Sequence, residues 1–142
     1  MNALPAESAL PETAVHGARV LIVDDDAASV RGLARLLRDD GFEVETARDG
    51  AAAIARLARL PLPDAVVTEL QLAHVDGTAV CRFARSQRAD LPLFVVTGHA
   101  NGWRRPNLGQ PEPVLLTKPV EYGELRDGLI HAVEAALAAA PE

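Results

Sequence analysis

Four short apolar runs in this chain end in side chains able to do chemistry. Val20 to Val23 leads into Asp24-Asp25-Asp26, and Ala65 to Thr68 leads into Glu69. Leu93 to Val96 is followed by Thr97-Gly98, and Val114 to Leu116 by Thr117-Lys118-Pro119. A set of acids, a further acid, a hydroxyl and an amine thus recurs at successive run ends. Three adjacent carboxylates oppose one another unless a cation or basic group offsets them. Two unit charges about 4 Å apart cost roughly 4 kcal/mol at an effective dielectric of 20. Hard oxygen donors of this kind suit Mg²⁺, which takes one or two carboxylates plus waters. An aspartate is equally suited to cap a following helix, Asp26 or a neighbour being the candidate. The three aspartates alone do not decide between those readings.

The elements that must position these groups alternate between two textures. The runs above, with Phe42 to Thr46, are β-branched and short; the fully apolar ones read as strands buried on both faces, as in a parallel sheet. Between them lie helical patterns. Val30, Leu33, Ala34 and Leu37 recur at helical spacing and stop at Gly41. A second helix is expected over Ala51 to Leu60, stopped by Pro61 and Pro63, and a third over Thr78 to Arg88 with Val80, Phe83 and Ala84 inward. The last begins near Glu121 and carries Leu125, Leu129, Val133 and Leu137 on one side. Such alternation predicts an α/β fold, a doubly wound five-stranded parallel sheet with helices on both faces. Its working site lies beyond the carboxyl ends of the strands. Gly98 to Pro113 holds three glycines and three prolines, its two ends included, so the fourth helix is expected to be short or irregular. At most one turn, around Trp103 to Arg105, is expected there within a mobile loop.

Composition limits the function further. The chain has 142 residues, one domain's length, with a formal net charge of −6, which argues against nucleic-acid and anionic-membrane binding. The one cysteine, Cys81, reads as a small core hydrophobe, and no pair among His16, His74, His99 and His131 has ligand spacing. No apolar run reaches a membrane span and the start lacks a signal-peptide pattern, so the cytoplasm is the expected compartment. Residues 1–18, without periodicity, are expected to form a flexible tail before a domain at 19–140. Trp103, between loop residues and beside Arg104 and Arg105, suits either a partner contact or packing over the sheet.

Taken together, the stretches 20–26, Gly41-Phe42-Glu43-Val44, Ala47-Arg48-Asp49-Gly50, 64–69, Val75-Asp76-Gly77, Thr97 and Lys118-Pro119 resemble a two-component response-regulator receiver domain, CheY-like and flavodoxin-like in fold. The resemblance implies signal transduction in a phosphorelay rather than enzymatic turnover. It implies an aspartate at the end of the third strand that accepts a phosphoryl group from a histidine kinase. It also implies Mg²⁺ on Asp25, with Asp24 assisting through water, Lys118 paired with the acceptor or its phosphate, and Thr97 turning toward the phosphoryl oxygens.

The chain departs from that pattern at two positions. Glu69 stands at the phosphoacceptor position; Asp64 begins the same strand and belongs at its opposite end, and Asp76 lies in an Asp-Gly turn. The additional methylene moves the carboxylate by roughly 1.5 Å, and a misplacement of about 1 Å can cost about 10²-fold in rate. Weak or absent phosphorylation is expected. The same length carries a standing negative charge toward Thr97 and Lys118, so Glu69 is expected to hold the domain wholly or partly in its activated arrangement. The second departure is Leu115, an aliphatic residue at the position where the family often has a switch aromatic. The leading expectation is therefore an atypical, phosphorylation-independent protein-interaction module, with a histidine kinase or effector as partner and homodimerisation through the last helix and strand as an option. A receiver still phosphorylated by a kinase is the alternative. A Mg²⁺-dependent phosphohydrolase is a more distant one, since the Asp-x-Asp nucleophile and a cap insertion are missing.

Overall fold

The computed structural model describes residues 15–139. Nine elements follow one another: β1 (Arg19–Val23), α1 (Ala27–Asp39), β2 (Glu43–Ala47), α2 (Gly50–Leu57), β3 (Ala65–Glu69), α3 (Gly77–Gln87), β4 (Leu93–Thr97), β5 (Val114–Thr117) and α4 (Tyr122–Ala139). All five strands are parallel, in the order β2-β1-β3-β4-β5. The expected architecture is present, and the segment between β4 and β5, where a short or irregular helix was expected, forms no helix.

The strands alternate their side chains between two cores. Val20, Ile22, Ala65, Val67, Phe94 and Val96 join Ala34 and Leu37 of α1 and Leu125, Leu129 and Val133 of α4 on one face. Leu21, Val23, Val66, Leu93 and Val95 join Ala53 and Leu57 of α2 and Val80, Cys81 and Ala84 of α3 on the other. With both faces covered, β3 and β4 are buried throughout, which is why their sequences are nearly all apolar. Burial pushes the Cys81 thiol up to about 12, leaving it a packed hydrophobe.

Each helix starts on an acid. Asp26 accepts from the Ala28 and Ser29 amides and the Ser29 hydroxyl, so the capping reading is the one this aspartate takes. Asp49 caps α2 and Asp76 caps α3 through the Ala52 and Ala79 amides. Asp76 therefore starts a helix as well as ending a turn. Glu121 accepts from Gly123 N and Glu124 N ahead of α4. The outermost strand β2 carries Glu43, paired with Arg19 at 2.8 Å, and Glu45, paired with Arg56 at 2.5 Å.

Three expectations need correction. Of the expected tail, residues 15–18 pack against the domain: Val15 and Ala18 are buried, and Gly17 N donates to Gly41 O at 2.9 Å. Residues 1–14 of the expected tail lie outside the described residues. Leu137 does not continue the buried stripe of α4 and is 46% exposed, since the helix outruns the sheet beneath it. The segment between β4 and β5 is anchored: Arg85 of α3, itself buried, donates to Leu108 O at 2.8 Å and to Pro111 O, and also to Leu91 O, ahead of β4, at 2.7 Å. Its turn falls at residues 100–103, with Trp103 N donating to Ala100 O at 3.2 Å, slightly before the expected position.

Candidate functional site

Strand register brings the four run ends into one layer. Val23 lies beside Thr68, so Asp24 and Glu69 leave the sheet together. Glu69 lies beside Val96, and Thr97 beside Thr117, which places Lys118 one step beyond. The Lys118 amide donates to Thr97 O at 2.9 Å and ties the last two strand ends. The strand order reverses between β1 and β3, the position at which a sheet of this kind opens a crevice. A cavity of about 570 Å³ opens there between α1 and α4, bounded by Asp24, Glu69 and Lys118 at its polar end and by Leu33, Val120 and Tyr122 along its wall.

The centre of the site is an acid–amine–acid bridge. Lys118 Nζ lies 2.7 Å from Glu69 Oε1 and donates to Asp24 Oδ2 at 3.2 Å. The second oxygen of Glu69 accepts from Gln71 N at 3.0 Å, and the second oxygen of Asp24 from Asp26 N at 3.0 Å. Glu69 is 8% exposed. Burial alone would raise its pKa, but the Lys118 ammonium, the Gln71 amide and the Thr97 hydroxyl together hold it below the usual carboxylate value. The Lys118 ammonium is also partly desolvated, and the two carboxylates more than offset that, holding its pKa above the ordinary lysine value. Both groups are charged at neutral pH.

Thr97 is fully buried and its hydroxyl accepts from His99 N at 3.2 Å. Of the candidate residues named from the sequence, Asp24, Glu69, Thr97 and Lys118 thus come together. Asp25 does not: it is exposed and lies outside the bridge. Leu115 is half-buried on the other face of β5, packed against the same core as Trp103 and Leu108. Among the described residues, no three His, Cys, Asp or Glu side chains are grouped so as to hold a metal ion. Asp24 and Glu69 spend an oxygen each on the Lys118 ammonium instead, so the donor set as arranged does not fit a divalent ion. Chemically, the arrangement fixes a buried, ionised carboxylate within reach of a hydroxyl and an amine.

Sequence reasoning did not find the groups that hold this acid in place. Gly50, first residue of α2, and Gly77, first residue of α3, sit where a Cβ would strike the Val75 carbonyl oxygen and the Glu69 carbonyl oxygen, respectively. Gly77 N also donates to Leu70 O at 2.9 Å. The β3–α3 turn is therefore pressed between two helix starts, and only glycine leaves room for that approach. The signal was present as two Asp-Gly pairs, Asp49-Gly50 and Asp76-Gly77, in which the acid caps and the glycine admits a neighbouring backbone. No described helix is long and apolar enough to cross a membrane.

Comparison with known proteins agrees with this geometry. A response regulator MprA of Mycobacterium sp. (strain KMS) is 44% identical over 79 residues, 56% of this chain and 34% of that protein. The same protein of Mycobacterium leprae (strain TN) gives the same figures. The chain thus spans about a third of the length of the curated relatives it matches. A crystal structure of a response regulator receiver protein from Sinorhizobium medicae is 28% identical and covers 86% of this chain and 98% of its own, with a TM-score of 0.76. The receiver domain of the Pseudomonas aeruginosa sensor histidine kinase PA1611, solved with a magnesium ion coordinated in its active-site cleft, is 26% identical over 83% of this chain and 98% of its own, with a TM-score of 0.72. The family model for response regulator receiver domains matches residues 20–129. A match running from the second residue of β1 into α4 takes in all five strands and the whole acid–amine bridge, and the chain belongs to the response regulator receiver domain family.

Proposed function

We propose that this receiver serves two-component signalling as a protein-interaction module that needs no phosphoryl group, with Glu69 as a standing charge at the phosphoacceptor position. The observation that supports this reading is the 2.7 Å contact between buried Glu69 and Lys118. The longer side chain already reaches the amine that would otherwise meet an incoming phosphate. One carboxylate brings a single charge, whereas a phosphorylated side chain brings about −1.5 to −2 and three acceptor oxygens, so the imitation is partial. A histidine kinase or an effector protein is the proposed partner, and a homodimer through α4 and β5 is a further option. Neither nucleic acid nor membrane is proposed as a partner, and the cytoplasm is the proposed compartment.

Acetyl phosphate or beryllofluoride, with Mg²⁺, tests the reading by intact mass and by NMR shifts near Thr97. The wild-type chain is expected to remain unmodified, while Glu69→Asp gains labelling because the remaining groups still suit an acceptor of ordinary length. Stoichiometric modification of wild type at Glu69 would overturn the reading and favour the phosphorylated alternative. The same titration tests Asp24 and Asp25 as Mg²⁺ ligands: binding is expected only when the shorter acid loosens the Lys118 bridge.

A further inference from the structure

The cavity between α1 and α4 is apolar over most of its wall and charged at one end. Val30, Leu33 and Leu36 of α1 line it, and Leu36 remains 45% exposed. Its floor is the sheet itself, through Ile22, Val67 and Val96. Two polar struts keep this space from collapsing. At one end Lys118 reaches Glu69 at 2.7 Å and Asp24 at 3.2 Å. At the other, the Tyr122 hydroxyl lies 3.0 Å from Leu36 O and donates to Asp40 Oδ2 at 2.7 Å. The Arg126 guanidinium, 5.8 Å from the ring centroid, steadies that phenol. Closing the walls would break these bonds, so the apolar surface stays open. A single phenol spans from α4 to α1, which makes the gap narrower than a third helix, about 10–12 Å across with its side chains. A slender molecule can reach the floor and a protein helix cannot.

We propose that this cavity binds a small organic cation, its apolar body against Leu33, Leu36 and Val120 and its ammonium sharing Asp24 and Glu69 with Lys118. The volume, about 570 Å³, falls within the roughly 300–1,000 Å³ usual for small-molecule clefts. Charge selects the head group. Asp24 and Glu69 bring two carboxylates to the polar end against the one ammonium of Lys118. A carboxylate offers about four acceptor positions, and the bonds to Lys118, Gln71 N and Asp26 N leave room for a further donor. An anion would meet one amine and oppose two acids. The chain's net charge of −6 draws cations from a distance as well. The proposal deepens the phosphorylation-independent reading by naming a regulator of the same pocket. It rests on that reading for what the ligand replaces, and on the cavity alone for its binding.

Three probes with one body and different heads test it: naphthylethylamine, naphthylethanol and naphthylacetate, titrated into the full chain at neutral pH and followed by NMR. The amine is expected to bind about ten-fold more tightly than the alcohol, and the acetate more weakly still, with shifts centred on Leu33 and Val120. Asp24→Asn, its folding checked by circular dichroism, is expected to weaken the amine about ten-fold and to leave the alcohol unchanged. Leu36→Trp sets a larger ring across the mouth and is expected to weaken all three. Equal affinity for amine and acetate, or shifts centred away from the cavity, would overturn the proposal. So would an amine affinity untouched by both variants. Absence of saturable amine binding would overturn it too and leave this face to a protein partner. Covalent phosphate on wild-type Glu69 would end the standing-charge reading while a measured amine affinity stood, and failure of the amine would leave the labelling result as it was.

Discussion

The two faces of the sheet are closed by different means. Over one, α1 and α4 lie side by side, meet the apolar strand positions directly and satisfy their own backbone groups. A clasp joins them, with the Tyr122 hydroxyl donating to Asp40 Oδ2 at 2.7 Å. Over the other face, α2 and α3 cover β1 and β3, and the ground beside β5 falls to an extended segment. Extended backbone brings no internal ladder, so its carbonyls must find donors elsewhere. Arg85 supplies them, which explains why an arginine is buried in a core otherwise made of aliphatic side chains. A face closed by helices depends on apolar area; one closed by a strap depends on a few polar anchors.

Substitution at each anchor separates the two modes. Leu129→Ala on the helix-covered face is expected to cost about 3 kcal/mol through lost burial and the cavity it leaves. That loss should appear as a fall in urea midpoint and in amide-exchange protection across β4 and β5. Arg85→Ala strands three carbonyls and is expected to cost about 2 kcal/mol. Its protection loss should be confined to 98–113, the end of α3 and the turn at Leu91. If Arg85→Ala lowered protection over the whole sheet, the two faces would not be distinct. Gly50→Ala drives a methyl into the Val75 carbonyl and is expected to cost about 1–2 kcal/mol. It should also displace Glu69 from Lys118, visible as NMR shifts at Gln71 and Thr97 with little change at Leu129.

The smallest effect concerns pH. The Glu69 carboxyl is held below its ordinary value of 4.5 in the folded chain. Its contribution is therefore fully present above that value and declines as pH falls through the lower folded value. A urea midpoint measured from pH 6 to pH 3 should drop less steeply in Glu69→Gln than in wild type. Equal slopes would mean that Lys118 does not stabilise the charged acid.

Much of this arrangement was legible in the sequence because a parallel sheet delivers its strand ends to one edge. Once the apolar runs were recognised, Asp24, Glu69, Thr97 and Lys118 had to converge. Helix bounds fell within a few residues because Asp caps and Pro or Gly stops are local signals. Arg85 was not legible: on a helix it reads as one more solvated charge, and only the absence of a helix between β4 and β5 gives it Leu108 and Pro111 as partners. Val15 and Ala18 were missed for a related reason, since two apolar residues in an alanine- and proline-rich stretch show no period. Asp25 is exposed and stands outside the Lys118 bridge, so adjacency to Asp24 in sequence did not by itself place it in that contact.

The ends of the sheet have a consequence for how copies of this chain meet. On the β2 side, an arriving strand would have to strip water from Glu43 and Glu45, already engaged by Arg19 and Arg56. On the β5 side it would find only four residues, bracketed by Pro113 and Pro119, which have no amide hydrogen to offer. Both margins are thereby guarded against zipping into ribbons. Crowded copies should stay dispersed, and any pairing between them has to come from side chains rather than from a shared sheet.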